Sequence, residues 1–448
     1  MEIFKFAVLI GPLFGFMALG VPIFLSMGLA CIIFAIIYEV PLFLMAMSYI
    51  RGIGSFAYLA IPFYFLAGDL MNQSGITDRL LKFSSALIGH IKGGLSHVNI
   101  VASMIFSGVS GSAVADTSAV GSVLIPAMKK EGYHSPYAAA VTAASSTIGP
   151  IIPPSIPFVI FGLLANTSIG DLFLAGVVPG ILMGVFLLFS SYFISLRRNY
   201  PSKTRASFRV LIKSFVDAFL ALLMPIIIVG GITTGIVTPT EAGVVAVVYA
   251  ILIGLFVYKG FKLRDLPRIL KDSMLNSGLI LIIIATTGLF AYLVADMRAG
   301  ELLVNFFTAI SSDKWVVLTM IVAFFLIWGC ILDPITALIV LVPLLIPVAN
   351  AVGIDTIHFG VVIVLTLMIG LVTPPVGIIL YLAAALAKCT FEDVVKESAI
   401  FLLALFIVLA ICMYLPGVVL WLPHYLSPER GGGKNIRNSS HKLRCCES

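Results

Sequence analysis

Charged side chains are scarce in this chain of 448 residues. Asp, Glu, Lys and Arg make up 11% of it, whereas about a quarter of a soluble domain is charged. Hydrophobic residues account for 60%, and the mean hydropathy is +1.14. Because a bilayer accepts apolar surface that a soluble protein would have to bury, this composition excludes an ordinary soluble domain. It predicts an all-α polytopic membrane protein.

Motifs of enzymes and ATP-driven machines are also missing. The sequence has no Walker A loop, no dinucleotide fingerprint and no His/Cys cluster at metal-binding spacing. Cys31, Cys330, Cys389 and Cys412 lie in or beside apolar segments without a CxxC pair, so we interpret them as structural thiols. The net charge of +6 comes from basic residues between apolar runs, as membrane topology requires. We therefore expect neither an enzyme nor a nucleic-acid partner.

A repeat at an offset of about 221 residues organises the chain. Glycines and prolines recur in the same order in both halves, which indicates that the same interruptions of helical backbone recur. The matching positions are Gly108 with Gly329, Gly149 with Gly370, Pro126 with Pro347, and Pro153-Pro154 with Pro374-Pro375.

Lys and Arg in short loops predict the orientation of each half, because cytoplasmic loops are enriched in both. Two basic linkers, 197–213 and 259–271, are expected to be cytoplasmic and to enclose two spans at about 218–236 and 241–258. The loop 79–92 of the first half is basic, whereas its counterpart 296–314 is mixed in charge. The repeats are therefore predicted to be inverted relative to each other.

Lys129 and Lys130 would lie on the wrong side of the membrane if residues 94–128 crossed it fully. A re-entrant hairpin removes this conflict, because arms of ~13–16 residues at ~1.5 Å per residue reach the bilayer midplane and return. We predict its turn at about 108–112. The matching segment, 315–349, is predicted to enter from the periplasm and to turn at about 329–333. With residues 6–38 interpreted as one retained span, about nine full spans are expected.

The predicted division of the chain has five parts. Residues 1–53 form an N-terminal scaffold helix and a periplasmic loop, and 54–196 form the first repeat with its hairpin at about 94–128. Residues 197–272 contain the basic linkers and two scaffold spans. Residues 273–423 form the second repeat with its hairpin at about 315–349, and 424–448, which lack apolar periodicity, form a disordered tail.

Small and polar residues fill 107–118 within an apolar region. Non-helical backbone at membrane depth is stable only beside protein or a water-filled cavity, so a site is expected here; close helix packing is the alternative. Prolines in 147–155 and 370–375 are expected to break helices and so to leave backbone carbonyl groups without hydrogen bonds. In broken-helix transporters such carbonyl groups bind Na⁺. The alternative is that these prolines only kink a helix. We predict one sodium site for each hairpin tip and its broken helix. The candidate ligands are Ser107, Gly108, Ser110, Thr147, Gly149, Pro153, Gly329, Asp333, Gly370, Thr373 and Pro374.

Acidic residues at membrane depth are functional candidates because burying their charge is costly. Asp333 lies at the second tip, Asp116 about one turn beyond the first, and Asp69 in the second span. Glu241 is a weaker candidate, because helix capping and the helix dipole explain an acidic residue in the first turn of a helix. Arg298 follows a span at its periplasmic end. It is interpreted either as a partner for a substrate carboxylate or as an ordinary interfacial arginine. The candidate substrate-binding residues are Ser112, Asp116, Ser155, Arg298 and Asp333.

Four motifs carry a family resemblance: GGL at 93–95, SGSAVAD at 110–116, PPS at 153–155 and TPTEA at 238–242. Over about residues 5–423 the chain resembles the large membrane subunit of TRAP transporters, the tripartite ATP-independent periplasmic systems. The resemblance implies a fold like that of the ion transporter superfamily, in the bacterial inner membrane. It implies an elevator mechanism, in which a mobile domain with both hairpins moves past a static scaffold. It also implies Na⁺ coupling, a small four-span membrane subunit and a soluble periplasmic substrate-binding protein.

The resemblance places the ion and substrate region at 107–116, 147–155, 329–333 and 370–375. It implies a carboxylate-bearing substrate, such as a C4-dicarboxylate, a sialic acid or another sugar acid, and an arginine at position 298 suits the sugar acids. Because the chain starts at the first span of the large subunit, we expect no fused small subunit. We therefore predict sodium-coupled import of a small organic acid. The alternatives are a binding-protein-independent anion symporter of the same architecture and a channel with re-entrant loops.

Overall fold

A computed structural model of the chain describes residues 2–54, 56–297 and 299–426. Over these ranges the protein consists of helices and turns without a strand, as the composition predicts. The helices are α1 Glu2–Ala18, α2 Ile23–Ile37, α3 Leu42–Ile53, α4 Ala60–Gln73, α5 Ile76–Ile88, α6 Gly94–Ser110, α7 Ala113–Lys130, α8 Ser135–Ser146, α9 Ile156–Leu164, α10 Ile169–Arg198, α11 Phe208–Thr233, α12 Pro239–Leu252, α13 Leu266–Asp296, α14 Ala299–Ile310, α15 Lys314–Gly329, α16 Pro334–Ala351, α17 Thr356–Gly370, α18 Ile378–Ala387, α19 Phe391–Tyr414 and α20 Pro416–Leu426.

The first apolar run contains two helices, so the expectation of a single span over residues 6–38 is wrong. α1 and α2 pack against each other and are joined by a turn at 19–22. Gly20 adopts a φ of +80° in this turn, and Pro22 directly precedes α2. A left-handed glycine ends a helix at low cost, and the fixed φ of proline suits the start of the next one.

Helix boundaries in the two halves have the spacing of the sequence repeat. α7 and α16 begin at Ala113 and Pro334, and α8 and α17 begin at Ser135 and Thr356, which are offsets of about 221 residues. In each half a pair of packed helices is followed by an interrupted helix and then by a long helix. We call α6 with α7 the first hairpin and α15 with α16 the second hairpin.

Both ends of the first hairpin lie at the linker between α10 and α11. The backbone N–H groups of Gly93 and Gly94 donate to the carbonyl oxygen of Pro201 at 3.1 and 3.3 Å. The hydroxyl of Tyr133, which follows the last helix of the hairpin, donates to the same oxygen at 3.3 Å. The first hairpin therefore returns to the end of the molecule from which it starts.

The second hairpin opens toward the opposite end of the molecule. Thr319, near the start of α15, has its hydroxyl 2.9 Å from that of Tyr414, the last residue of α19. Glu397, near the start of α19, instead lies beside the first hairpin and the end of α10, 3.6 Å from His134 and 3.0 Å from Arg198. Since the 24 residues of α19 extend ~36 Å at ~1.5 Å per residue, the two hairpins open in opposite directions.

Within the described ranges, six helices are long and apolar enough to cross a membrane, or up to eight if two bent pairs each count as one span. One of the six is α16, an arm of the second hairpin. The expected count of about nine spans is therefore not met by single helices, because several spans are interrupted. Of the predicted tail, residues 424–426 complete α20, which corrects that boundary, and 427–448 lie outside the described residues.

Candidate functional site between the hairpin tips

A small pocket lies where the two hairpin tips meet. Its wall includes residues 111–114 of the first hairpin and 333–335 at the second. The remaining lining residues are Phe65, Pro150, Ile156, Pro157, Met368 and Leu371. The pocket has a volume of about 60 Å³, which is room for about two water molecules. Segments that are far apart in the sequence thus share one cavity.

The first tip is a tight turn that contacts the broken helix. Gly111 has a φ of +59°, and a Cβ there would lie 2.8 Å from the carbonyl oxygen of Pro154, so the turn requires glycine. The hydroxyl of Ser110 donates to the carbonyl oxygen of Ser112 at 3.2 Å. The hydroxyl of Ser112 in turn caps α7 by accepting from the N–H of Ala115 at 3.4 Å. These serines define the shape of the tip.

Residues 147–155 interrupt the helix between α8 and α9. Gly149 packs against the first tip, since a Cβ at this position would lie 3.6 Å from the carbonyl group of Ser112. Ser155 caps α9 by accepting from the N–H of Phe158 at 3.2 Å and donates to the carbonyl oxygen of Pro150. The hydroxyl of Ser155 therefore joins the two sides of the break.

Several backbone carbonyl groups in the two breaks have no hydrogen-bond donor among the described residues. Because proline lacks an N–H group and the helix is interrupted, the usual donors are missing. The unpaired groups include the carbonyl oxygens of Thr147, Gly149, Pro153 and Pro154 in the first break, and of Thr373 and Pro374 in the second. The Pro153-Pro154 and Pro374-Pro375 bonds are both cis. Unpaired carbonyl oxygens of this kind are suitable ligands for a hard cation.

Asp333 forms the second tip and caps α16. One carboxylate oxygen, Oδ2, accepts from the N–H groups of Ile335 at 3.1 Å and Thr336 at 3.4 Å. The other oxygen, Oδ1, has no hydrogen-bond partner in the described part of the chain, and the side chain is exposed where it lines the pocket. Oδ1 is therefore available to a cation or to a polar group of a ligand.

The second tip meets its broken helix through two glycines. A Cβ at Gly370 would lie only 2.6 Å from the backbone of Gly329, and one at Gly329 would lie 3.0 Å from the side chain of Leu367. Since Gly329 ends α15 and Gly370 ends α17, glycine at both positions lets the two backbones touch. Gly329 and Gly370, the second-half counterparts of Gly108 and Gly149, are thus in close contact with each other.

Asp116 faces away from the pocket. Its side chain is fully buried where α6, α7 and α8 pack together. Neither carboxylate oxygen makes a hydrogen bond within the described chain. Close by, the side-chain amide of Asn99 donates to the hydroxyl of Thr142 at 2.6 Å. A carboxylate buried without a hydrogen-bond partner is either protonated or paired with a cation, and its position behind the tip keeps it from a substrate in the pocket.

Three predicted sodium ligands use their hydroxyl hydrogens within their own helices. Ser107 donates to the carbonyl oxygen of Met104 at 2.5 Å, and Thr373 donates to that of Ile369 at 2.7 Å. Thr147 makes a similar bond to its own helix at 2.6 Å. Each hydroxyl oxygen therefore keeps lone pairs for a cation.

The structure brings most of the predicted site residues together. Ser112 and Asp333 line the pocket, Ser155 lies next to the lining residue Ile156, and Asp116 lies behind the first tip. Arg298 lies outside the described residues. The sodium candidates of the first half form one group at 107–110 and 147–153, and those of the second half form another at 329–333 and 370–374.

Buried polar residues behind the first tip, which are not among the predicted site residues, form a hydrogen-bonded group. Ser145 donates to the side-chain oxygen of Asn99 at 3.2 Å, and Ser103 donates to Ser145 at 3.2 Å. Their signal was present, because Asn99, Ser103 and Ser107 recur every four residues and so form a polar stripe on one face of α6.

Paired hairpins and interrupted helices around a shared pocket define the fold of a membrane transporter. The YdaH transporter of Alcanivorax borkumensis has a similar structure, with a TM-score of 0.65 and 15% identity over 85% of this chain and 90% of that one. MtrF of Neisseria gonorrhoeae, described among antimetabolite efflux pumps, has a TM-score of 0.61 and 14% identity over 83% and 84% of the two chains. At these identities the likeness concerns the fold.

A family model for the DctM component of the tripartite ATP-independent periplasmic transporter matches residues 10–418, and the chain belongs to this family. The sialic acid TRAP transporter large permease protein SiaM of Vibrio cholerae is 41% identical over 93% of this chain and 98% of its own length. The C4-dicarboxylate permease DctM of Rhodobacter capsulatus is 34% identical over 94% and 99%. The sialic acid permease SiaT of Haemophilus influenzae is 39% identical over 85% of this chain, which spans 62% of that protein. The protein is thus a multi-pass inner-membrane permease and not an enzyme, as predicted.

Proposed function

We propose that the protein imports a small carboxylate-bearing solute together with Na⁺, as the large subunit of a TRAP transporter. The observation that carries this proposal is the pocket shared by two hairpin tips whose open ends point in opposite directions. A solute held between two such tips can be reached from either side of the membrane in turn, which alternating access requires. Movement of both hairpins past a scaffold, as in an elevator mechanism, would carry the pocket with them.

Two sodium sites are proposed, one in each half. The first lies between the tip at 107–112 and the break at 147–155, and the second lies between the tip at 329–333 and the break at 371–377. The unpaired carbonyl oxygens and Oδ1 of Asp333 support these positions. Asp116 adds a buried negative charge behind the first tip, which balances the charge of a cation bound there.

Two of the three helix N-termini at the pocket favour an anionic substrate. The first residues of α7, α9 and α16 (Ala113, Ile156 and Pro334) all line the pocket. Because a helix N-terminus carries partial positive charge, those of α7 and α9 attract a carboxylate. At α16 the carboxylate of Asp333 already accepts from the N–H groups of Ile335 and Thr336. The substrate class is a sialic acid, another sugar acid or a C4-dicarboxylate. A pocket of about 60 Å³ is too small for these acids, so the tips must separate when the substrate binds.

The proposed partners are a small membrane subunit with four spans and a soluble periplasmic protein that delivers the substrate. The exposed apolar side chains of α11 and α12, such as Ile226 and Val248, provide surface for a membrane-embedded partner. Phe56 lies between α3 and α4 and is 67% exposed. It adds to the apolar surface available to this partner.

Uptake into proteoliposomes tests the proposal. The protein would be reconstituted with its small subunit, and radiolabelled sialic acid or succinate would be added with the cognate binding protein under an inward Na⁺ or K⁺ gradient. Accumulation is expected only with Na⁺ and the binding protein. Ser112→Ala should reduce it, whereas the matched control Ser122→Ala, on the exposed face of α7, should not. Equal flux without Na⁺ and without the binding protein would indicate a channel, and Na⁺-dependent uptake without the binding protein would indicate an independent symporter.

A further inference from the structure

A basic groove lies at the predicted cytoplasmic face, away from the tip pocket. It has a volume of about 890 Å³ and is formed by α5, the first turns of α11, the linker before α11 and the segment after α12. Four basic and two acidic side chains line it: Arg79, Lys82, Lys203, Lys213, Asp78 and Asp217. The groove therefore has an excess of positive charge.

Most of this positive charge is not neutralised within the described chain. Lys203 lies 3.5 Å from a carboxylate oxygen of Glu131. Arg79, Lys82 and Lys213 have no carboxylate within 4.0 Å among the described residues. These three cations line the same groove from two different helices, α5 and α11.

Arg79 is held in place by an aromatic ring. Its guanidinium carbon lies 4.1 Å from the centre of the Tyr258 ring, and the hydroxyl of Tyr258 donates to the backbone carbonyl of Asp217 at 3.1 Å. A cation–π contact uses the face of the guanidinium and leaves the N–H donors at its edge available. The N–H groups of Arg79 are therefore pre-oriented for an oxyanion.

The groove lies at the level of the membrane surface. α11 begins at Phe208 and is long enough to cross the bilayer, and Lys213 lies less than two turns from this start. Val210 lines the groove and is 52% exposed, so apolar surface adjoins the cations. Basic pockets between spanning helices on the cytoplasmic side suit the head groups of anionic lipids.

We propose that this groove binds the phosphate of an anionic phospholipid of the cytoplasmic leaflet, with Arg79, Lys82 and Lys213 as its ligands. The phosphate would bridge α5 and α11. Because α5 directly precedes the first hairpin, the bound lipid would tie the helix that leads into the hairpin to a neighbouring spanning helix. The proposal does not depend on sodium coupling or on the transported substrate.

The test compares two paired substitutions in the full-length purified protein. Lys82→Gln/Lys213→Gln removes two exposed charges from the groove, and Lys130→Gln/Lys271→Gln removes two exposed charges outside it. Cardiolipin binding would be measured by native mass spectrometry, and thermal unfolding would be followed with added cardiolipin or phosphatidylcholine. We expect cardiolipin to bind the groove variant at least ten-fold more weakly than the control pair. Cardiolipin, but not phosphatidylcholine, should raise the melting temperature of the wild type.

Tyr258→Leu provides a second variant, which keeps all charges and removes the ring beneath Arg79. It should weaken cardiolipin binding while leaving Lys82 and Lys213 in place. Equal losses in the groove pair and the control pair would overturn the proposal, because they would indicate nonspecific charge attraction. Stabilisation by inorganic phosphate alone, to the same degree as by cardiolipin, would assign the groove to a soluble anion instead.

Discussion

Asp333 caps a helix and is proposed to bind Na⁺, and two substitutions separate these two roles. Its Oδ2 caps α16, and its Oδ1 faces the pocket without a partner in the described chain. Asparagine caps a helix about as well as aspartate, whereas alanine loses the cap at a cost of about 1 kcal/mol. Asp333→Asn therefore keeps the cap and removes the charge, and Asp333→Ala removes both. If the carboxylate binds Na⁺, Asp333→Asn should raise the Na⁺ concentration for half-maximal uptake at least ten-fold, equivalent to about 1.4 kcal/mol.

Asp355→Asn is the matched control, because Asp355 caps α17 in the same way, accepting from the N–H groups of Ile357 at 2.9 Å and His358 at 3.0 Å. Uptake would be measured in proteoliposomes over a series of Na⁺ concentrations, with the melting temperature as a measure of folding. Asp355→Asn should leave the Na⁺ dependence within two-fold of the wild type. If Asp333→Asn keeps the wild-type Na⁺ dependence while Asp333→Ala loses uptake, Asp333 is only a helix cap and does not bind Na⁺.

Three further substitutions test the packing and charge of the site. Gly370→Ala forces two backbones apart and should lower the free energy of unfolding by about 1–3 kcal/mol, which would appear as a lower melting temperature. The control Gly278→Ala has open space around it and should not destabilise the protein. Asp116→Asn removes a buried charge, so without Na⁺ the melting temperature of the variant should equal or exceed that of the wild type. Added Na⁺ should stabilise the variant less than the wild type. If Na⁺ stabilises both proteins equally, Asp116 does not bind the cation. Ser155→Ala and Ser168→Ala each remove a helix cap worth about 1 kcal/mol. Only Ser155→Ala should alter the Na⁺ dependence of uptake, because the hydroxyl of Ser155 joins the two sides of a helix break.

The class of the protein and the order of its interruptions were predictable from the sequence. The scarcity of charge requires a bilayer, because no soluble core could cover so much apolar surface. The recurrence of Gly108 and Gly149 at Gly329 and Gly370 placed the helix ends within a few residues, because glycine and proline restrict the backbone locally. Gly20 and Pro22 carry the same local signals, a helix end and a helix start, and they explain why the first apolar run forms two helices instead of the single span expected from its length.

Contacts between distant segments were decided only by the tertiary structure. Asp116 and Asp333 both follow a hairpin turn closely, yet one is buried behind its tip and the other lines the pocket. Helical periodicity gives the face of a residue on its own helix but not the helix that packs against that face. Whether a carboxylate points into a cavity or between helices therefore depends on the packing of α6, α7 and α8, whose side-chain contacts no single segment of the sequence encodes.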